Sequence, residues 1–430
     1  MRKINIGLIG YGVVGSGVVQ LLRKREMFIR DKFGTEFVFK TICDRSIRRK
    51  DTRGLSKTYL TTNPKKVLDD PAIDVVIELI GGLKPAKDIV MGALKRGKHV
   101  ITANKELIAN YGRELFRLAR EKNCYFYFES SVGAGIPIIK GITEGMAGNK
   151  FSTFYGIING TCNFILSEMT RRNLSFSRAL EEAQRRGFAE SNPALDISGK
   201  DSAHKLAILI YLAFGKFIKV EDIYTEGITQ ISHHDIEHAE TLNLTIKLLA
   251  IAKKAEKKIE ARVHPTLISK DHPLASINGI YNAVYLNARP LGNILFSGEG
   301  AGQMTAASGV LSDLINFAAQ GKGSILLSNL YTEAPHTKIR KIDEIKTKFY
   351  IRFMATDKPG VLSKISGILG RYGISINSVT QKAHVRKSTV PVIMLTDYTT
   401  ERMMRLSLNK IYQLPLVKSK PVAIRMENLE

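Results

Sequence analysis

A chain of 430 residues is too long for one ordinary hydrophobic core, and 44% hydrophobic with 24% charged residues is a globular composition that excludes disorder. Its longest near-continuous apolar stretch, residues 206–214, falls far short of the ~20 residues needed to cross a bilayer, so no membrane partner is expected. The net charge of +24 invites nucleic acid, but the basic residues are spread along the whole chain, Trp is absent and no nucleic-acid-binding motif occurs, so none is expected either.

The N-terminus, MRKINIGLIGYG, joins a basic start to a short apolar run that ends in a turn motif; it reads as a strand, with the protein cytoplasmic. Strands expected over 4–9, 37–43, 74–79, 99–102 and 124–129 alternate with helical segments such as 85–96 and 107–121. This alternation predicts an α/β fold, a Rossmann-type doubly wound parallel sheet over residues 1–135. Longer helical segments over 177–186, 200–214 and 238–258, mixed with strand-like runs, predict an α+β second domain over 136–300. A helix over 301–321, within a segment reaching about 330, returns the chain to the first domain. After a polar linker, 331–347, the last unit, 348–430, reads strand, helix, strand, strand, helix, strand, a ferredoxin-like βαββαβ order. Cys43, Cys124 and Cys162 stand far apart without CxxC spacing, which implies a reducing compartment and neither a disulfide framework nor a zinc site.

Gly10, Gly12 and Gly15, with Val13 and Val14 between them, form GYGVVG between the first strand and the first helix. There a glycine-rich turn lets backbone N–H groups approach a pyrophosphate at the positive end of the helix. Asp44, at the end of the second strand, is placed to accept the adenine ribose hydroxyls of NAD, whereas Arg45, Arg48, Arg49 and Lys50 suit the 2′-phosphate of NADP. Both cofactors stay open, with NADP favoured. Asp44 lies further from the glycines than the usual ~20 residues, and an extra loop at 33–36 is expected to absorb the difference.

The segment RGFAESNPALDISGKDSAHKLAIL places Glu190 near a turn, then Asp196, then Asp201 and Lys205 one helical turn apart. Lys205 abuts the apolar run 206–214, which implies a partly buried lysine tuned for proton transfer.

The runs GLIGYGVVGSGV, TANK at 102–105, ESSVGAGIPII, NGTCNFIL and GKDSAHKLAIL, in this order over roughly residues 1–330, resemble those of homoserine dehydrogenases. The resemblance implies reversible NAD(P)-dependent interconversion of aspartate 4-semialdehyde and homoserine in threonine, methionine and isoleucine synthesis. Lys205 would pass the proton to the forming alkoxide, Asp201 and Glu190 would bind substrate, and Lys105 would stand near the reacting carbon and the cofactor. Gly187, Glu190 and Gly302 match positions that close over the cofactor, and the second domain would also dimerise, giving a homodimer or homotetramer. ESSVGAGIPII resembles the family's monovalent-cation loop, in which Glu129 and main-chain oxygens of Val132, Ala134 and Ile136 would hold Na+ or K+. NGTCNFIL has Cys162 where the family more often has Thr. That raises a rival reading, an acylating aldehyde dehydrogenase with Cys162 as nucleophile and His204 as base.

FYIRFMATDKPGVLSKISGILGRYGISINSV resembles an ACT domain, which implies amino-acid sensing, with threonine the usual effector in this family. Asp357, Gly360, Val361 and Asn377 would meet it, since the turn and helix start present N–H groups to a carboxylate.

Overall fold

The structure is a computed structural model that describes residues 1–52, 55, 60–319, 337–381 and 389–429. It divides into two compact units, one of residues 1–152, 204–221 and 280–336, the other of 153–203, 222–279 and 337–430. No described helix is long and apolar enough to cross a membrane.

The first unit opens with strand β1 (Arg2–Ile9), helix α1 (Val13–Phe33), β2 (Thr35–Cys43), β3 (Leu60–Thr61), α2 (Lys65–Leu68), β4 (Val75–Glu78), α3 (Ala86–Lys95), β5 (His99–Thr102), α4 (Lys105–Glu121), β6 (Phe126–Tyr127) and α5 (Ile138–Lys140). The six strands form one sheet in the order β3-β2-β1-β4-β5-β6, every pair parallel. That order reverses direction at β1, the switch point beside which doubly wound sheets bind dinucleotides. Ile4, Ile6 and Leu8 of β1 are buried, and each contributes about 1.5–3 kcal/mol to folding through removal from water. The expected loop at 33–36 is absent: α1 runs 21 residues to Phe33, Gly34 caps it in the left-handed region, and β2 starts at Thr35, so a longer helix absorbs the spacing to Asp44.

The chain passes into the second unit along β7 (Lys150–Ile157), then α6 (Gly160–Arg172), α7 (Phe176–Arg185), α8 (Ala194–Ile197) and α9 (Lys200–Phe214). After β8 (Tyr224–Thr225) and α10 (His233–Thr241) come the long strands β9 (Leu244–Ala255) and β10 (Lys258–Ser269). The helix expected over 238–258 is therefore largely wrong: α10 stops at Thr241 and β9 takes over. Residues 246–252 of β9 are all buried, and a strand covered on both faces carries a mostly apolar run, broken here by Lys247, whose period cannot separate it from a helix.

The hairpin β11 (Tyr281–Arg289) and β12 (Gly292–Glu299) belongs to the first unit, as does α11 (Gln303–Ala319). Ala307, Val310, Leu314 and Phe317 of α11 join one buried cluster with Val18, Val19 and Leu22 of α1. The second unit then resumes with β13 (Lys338–Ile339), β14 (Lys346–Thr356), α12 (Val361–Arg371), β15 (Ile376–Gln381), β16 (Thr389–Thr396), β17 (Thr399–Thr400), α13 (Glu401–Tyr412) and β18 (Val422–Met426). Within the segment read as a linker, β13 pairs with β10, while residues 331–336 lie outside the described residues. The order βαββαβ holds from β14 to β18, apart from the two-residue β17. β18 also pairs in parallel with β10, so this C-terminal domain shares one sheet with β7, β9 and β10, in the order β7-β9-β10-β18-β14-β16-β15.

Candidate active site

The glycine motif makes a tight turn. Gly10 has φ +103, and a Cβ there would lie 2.6 Å from the Leu79 carbonyl after β4; one on Gly15 would lie 2.0 Å from the Gly10 oxygen. Only glycine allows these approaches. Gly12, by contrast, faces open space as the N-cap of α1, with no side-chain cap and no acidic residue in the first turn. Beside it Val13 is 70% exposed and Val14 half-buried. An uncapped helix start with an exposed apolar rim fits a bound dinucleotide.

Asp44 uses both oxygens within the protein. Oδ2 accepts from the Tyr11 N–H (2.9 Å) and Lys50 Nζ (2.5 Å), and Oδ1 from the Ser46 N–H (2.8 Å) and hydroxyl (2.9 Å). Burial alone would raise its pKa, but Lys50 and the Ser46 and Tyr11 donors hold it down at about 2. Asp44 thus ties the glycine turn to the end of β2, and Arg45 beside it is exposed. A cavity of about 600 Å³ lies beside the same strand ends, lined by Arg48, Thr61, Asn63 and Lys66 among others.

Lys105 is the first residue of α4, and a chain of hydrogen bonds fixes that start. Buried Glu78 accepts from the Thr102 hydroxyl (2.7 Å) and the Ile80 N–H (2.8 Å), the Thr102 hydroxyl accepts from the Asn104 N–H (2.9 Å), and Asn104 caps Leu107 while its amide donates to the Gly82 carbonyl (2.7 Å). Glu78, Gly81 and Gly82 escaped the sequence reading, although ELIGG directly after a strand was the available signal.

In the ESSVGAGIP loop, Glu129 is buried and accepts from the N–H groups of Ile139 and Lys140, 2.9 Å each. Burial first, then the Asp313 carboxylate, push its pKa up to about 8; burial likewise raises Asp313 to about 6. Asp313 of α11 accepts from the Glu129 N–H and pairs with Lys140. Val132, Ala134 and Ile136 are all buried, with Ala134 at φ +54. No group of three or more His, Cys, Asp or Glu able to hold a metal occurs among the described residues, so an ion here would rest chiefly on main-chain oxygens.

Asp201 and Lys205 stand one turn apart on α9, 7% and 8% exposed. In the second unit Asn159, the N-cap of α6, donates through its amide to both Asp196 (2.7 Å) and Asp201 (2.9 Å), while its oxygen accepts from the Cys162 N–H (2.8 Å). Asn159 lay inside a recognised motif, but no role was assigned to it. Cys162 is buried and its thiol donates to the Asp196 carbonyl (3.2 Å), a bond that a threonine hydroxyl serves equally well. Gly187, at φ +75, and Glu190 lie on the exposed turn after α7, where the Glu190 carbonyl accepts from Gln184 (3.1 Å). Gly302, at φ +130, precedes α11 in the first unit. Near the C-terminus, Gly360 (φ +84) starts α12 without a side-chain cap, Asp357 accepts from Gln381 (3.2 Å), Val361 is buried and Asn377 is exposed on β15.

A parallel sheet of this strand order with an open, uncapped glycine turn at its switch point, together with a buried lysine and carboxylate on one helix, defines a nicotinamide-dependent oxidoreductase. Residues 10–129 match the family described as the NAD-binding domain of homoserine dehydrogenase, 137–315 match homoserine dehydrogenase, and 349–409 match the ACT domain. Homoserine dehydrogenase of Neisseria gonorrhoeae is 38% identical over 100% of both chains. The crystal structure of a homoserine dehydrogenase from Thiobacillus denitrificans is similar with a TM-score of 0.92 and 41% identity, covering 100% of this chain and 99% of that one. A hyperthermophilic archaeal homoserine dehydrogenase in complex with NADPH is similar with a TM-score of 0.63 and 28% identity, covering 73% of this chain and 97% of its own. The chain belongs to the homoserine dehydrogenase family, whose NAD(P)-dependent reaction interconverts L-aspartate 4-semialdehyde and L-homoserine.

Proposed function

We propose that Lys205 donates the proton to the alkoxide formed at C4 of the semialdehyde, and takes it back when homoserine is oxidised. The observation that carries this is the burial of Lys205 one turn from Asp201, whose carboxylate Asn159 orients. A buried ammonium stabilises developing negative charge on oxygen more strongly than a solvated one. Asp201 and Glu190 hold the substrate's ammonium and hydroxyl, and Lys105 adds a second positive charge near the carbonyl. The bound nicotinamide supplies or accepts the hydride. Gly10, Gly12, Val13, Val14 and Gly15 hold its pyrophosphate end, with Gly187, Glu190 and Gly302 at its other edges. Because Asp44 is engaged by Tyr11, Ser46 and Lys50, the exposed Arg45, with Arg48 and Arg49 beside it, is placed to read a 2′-phosphate on the ribose, and NADP is the preferred cofactor.

A monovalent cation, Na+ or K+, is held by Glu129, Val132, Ala134 and Ile136. The ACT domain binds threonine through Asp357, Gly360, Val361 and Asn377. The enzyme is cytoplasmic, consistent with its three buried free thiols, and it acts as a homodimer or homotetramer in threonine, methionine and isoleucine synthesis. Absorbance of reduced nicotinamide, followed with homoserine and either NADP or NAD, tests the assignment. Lys205→Ala should lose about 10²–10⁴-fold in kcat with cofactor binding unchanged; a variant that keeps its turnover removes Lys205 from the chemistry. Threonine added to the same assay should inhibit.

A further inference from the structure

Arg425, on the last strand of the ACT domain, is 5% exposed and sits in a cage of three partners. It donates to Glu226 (2.7 Å), to the Tyr224 hydroxyl (2.9 Å) and through two bonds to Glu401 at the start of α13. The Tyr224 hydroxyl in turn donates to the same Glu226 oxygen (2.9 Å). Glu226 directly follows β8, and its N–H donates to the Val263 carbonyl of β10 (2.8 Å).

The next two residues press against the segment that leads from Asp196 into the substrate carboxylate, Asp201. The Ile228 N–H donates to the Ile197 carbonyl (3.0 Å), and a Cβ on Gly227 would lie 2.0 Å from that oxygen and 2.7 Å from the Ser198 Cα. Gly199 completes the contact, since a Cβ there would meet Thr225 and Val263 at 3.1 and 3.2 Å. Residues 197–199 are the short connection between Asp196 and Asp201. One side of it is held by residues 225–228, and the Asn159 amide donates to both carboxylates that flank it.

We infer that Arg425 and Glu226 are positioning residues for substrate binding: the ion pair between the ACT strand β18 and the residue after β8 fixes the backbone that sets Asp196 and Asp201. The ACT domain thereby completes the substrate site from behind, whatever effector it senses. The Ile228–Ile197 backbone bond and the Asn159 amide stay in place when the outer ion pair is lost, so the closely packed backbone shifts rather than unfolds. The carboxylates should therefore stay in the site but lose their set, which weakens substrate binding and leaves the lysine chemistry and the dinucleotide fold alone. This inference rests on the reading that Asp201 binds substrate.

The test uses the full-length enzyme and the homoserine-dependent reduction of NADP. Glu226→Gln keeps the shape of a half-exposed side chain and removes its charge. It should raise KM for homoserine about tenfold, with kcat and KM for NADP changed by less than about twofold. In an Asn159→Ala background the effect of the same substitution should depart from simple additivity, because the two act on one element. An unchanged homoserine KM, or an equal loss in kcat and both KM values, overturns the inference and leaves a plain structural tie. If Glu226→Gln fails to fold, Tyr224→Phe removes the hydroxyl shared by Arg425 and Glu226; a smaller rise in homoserine KM, about threefold, is expected, and no rise overturns it. Asp201→Asn, assayed alongside, separates the two readings. If it behaves as wild type, the substrate assignment fails; if it is impaired while Glu226→Gln is normal, only the positioning role fails.

Discussion

Asp44 shows how a residue legible as a ribose acceptor also carries structural work that the sequence does not announce. An acidic residue after the second strand suggested a ribose acceptor, yet its four hydrogen bonds all go to the protein, with Lys50 as its counter-ion. The exposed Arg45 next door is the phosphate-reading group proposed above. Arg45→Ala should raise KM for NADP about tenfold and leave KM for NAD unchanged, as steady-state rates with each cofactor will show. Lys247 makes a second prediction. It is 2% exposed, donates to the Ile277 carbonyl (2.6 Å) and to Asn278 (2.9 Å), and burial lowers its pKa to about 8. Between pH 8 and the unfolded value of about 10.5, the unfolded chain holds a proton that the folded one has released, so stability rises with pH across that window. Relative to Lys247→Met, the wild type should gain about 3 kcal/mol over the whole window, read from urea unfolding at several pH values. A parallel pH dependence of the two proteins would remove Lys247 as the cause.

Elements were legible where their signals are local. GYGVVG between a strand and a helix, TANK at the start of α4 and the D-x-P-G turn before α12 each carry their chemistry within a few residues, and all three occupy the expected junctions. β9 failed for the opposite reason: it is a strand because β7 and β10 pair with its two edges, and those elements are remote in sequence or still to come in the chain. The two-residue β3 offered too short a run to be seen. Close backbone approaches were equally silent, since Gly227 looks like any loop glycine until its contact with Ile197 is known. Gly227→Ala should cost about 3 kcal/mol or more in unfolding free energy, because the clash is with backbone that has no rotamer to change. A loss under about 0.5 kcal/mol would show that the two segments separate readily, and would weaken the case for a tie through Glu226.

At the scale of the whole molecule, the C-terminal domain was expected to hang from a linker, and its joint with the rest of the second unit lies beyond what sequence spacing reveals. Arg262 of β10 is 1% exposed, and its strongest partner, Glu427 at 2.7 Å, lies 165 residues later; Glu427 also binds Lys253 at 2.6 Å. Asp235, fully buried at the start of α10, likewise depends on Arg352 and Tyr350 of β14. In this chain the charges have been built into both sides, and removing one side takes from Arg262 and Asp235 their shortest charged partners, leaving Arg262 with Glu260 at 3.5 Å, at a cost of about 3–5 kcal/mol for each such pair. A chain ended at Ala319 should therefore give insoluble or molten protein, in contrast to a detachable sensor whose removal merely abolishes regulation. Glu427→Ala isolates the effect without truncation. It should lower urea stability by about 3–5 kcal/mol while leaving cofactor affinity intact, since the glycine turn belongs to the other unit. A soluble, fully active truncated enzyme would instead mean that Arg262 and Asp235 find solvent or new partners, and that the domain is regulatory alone.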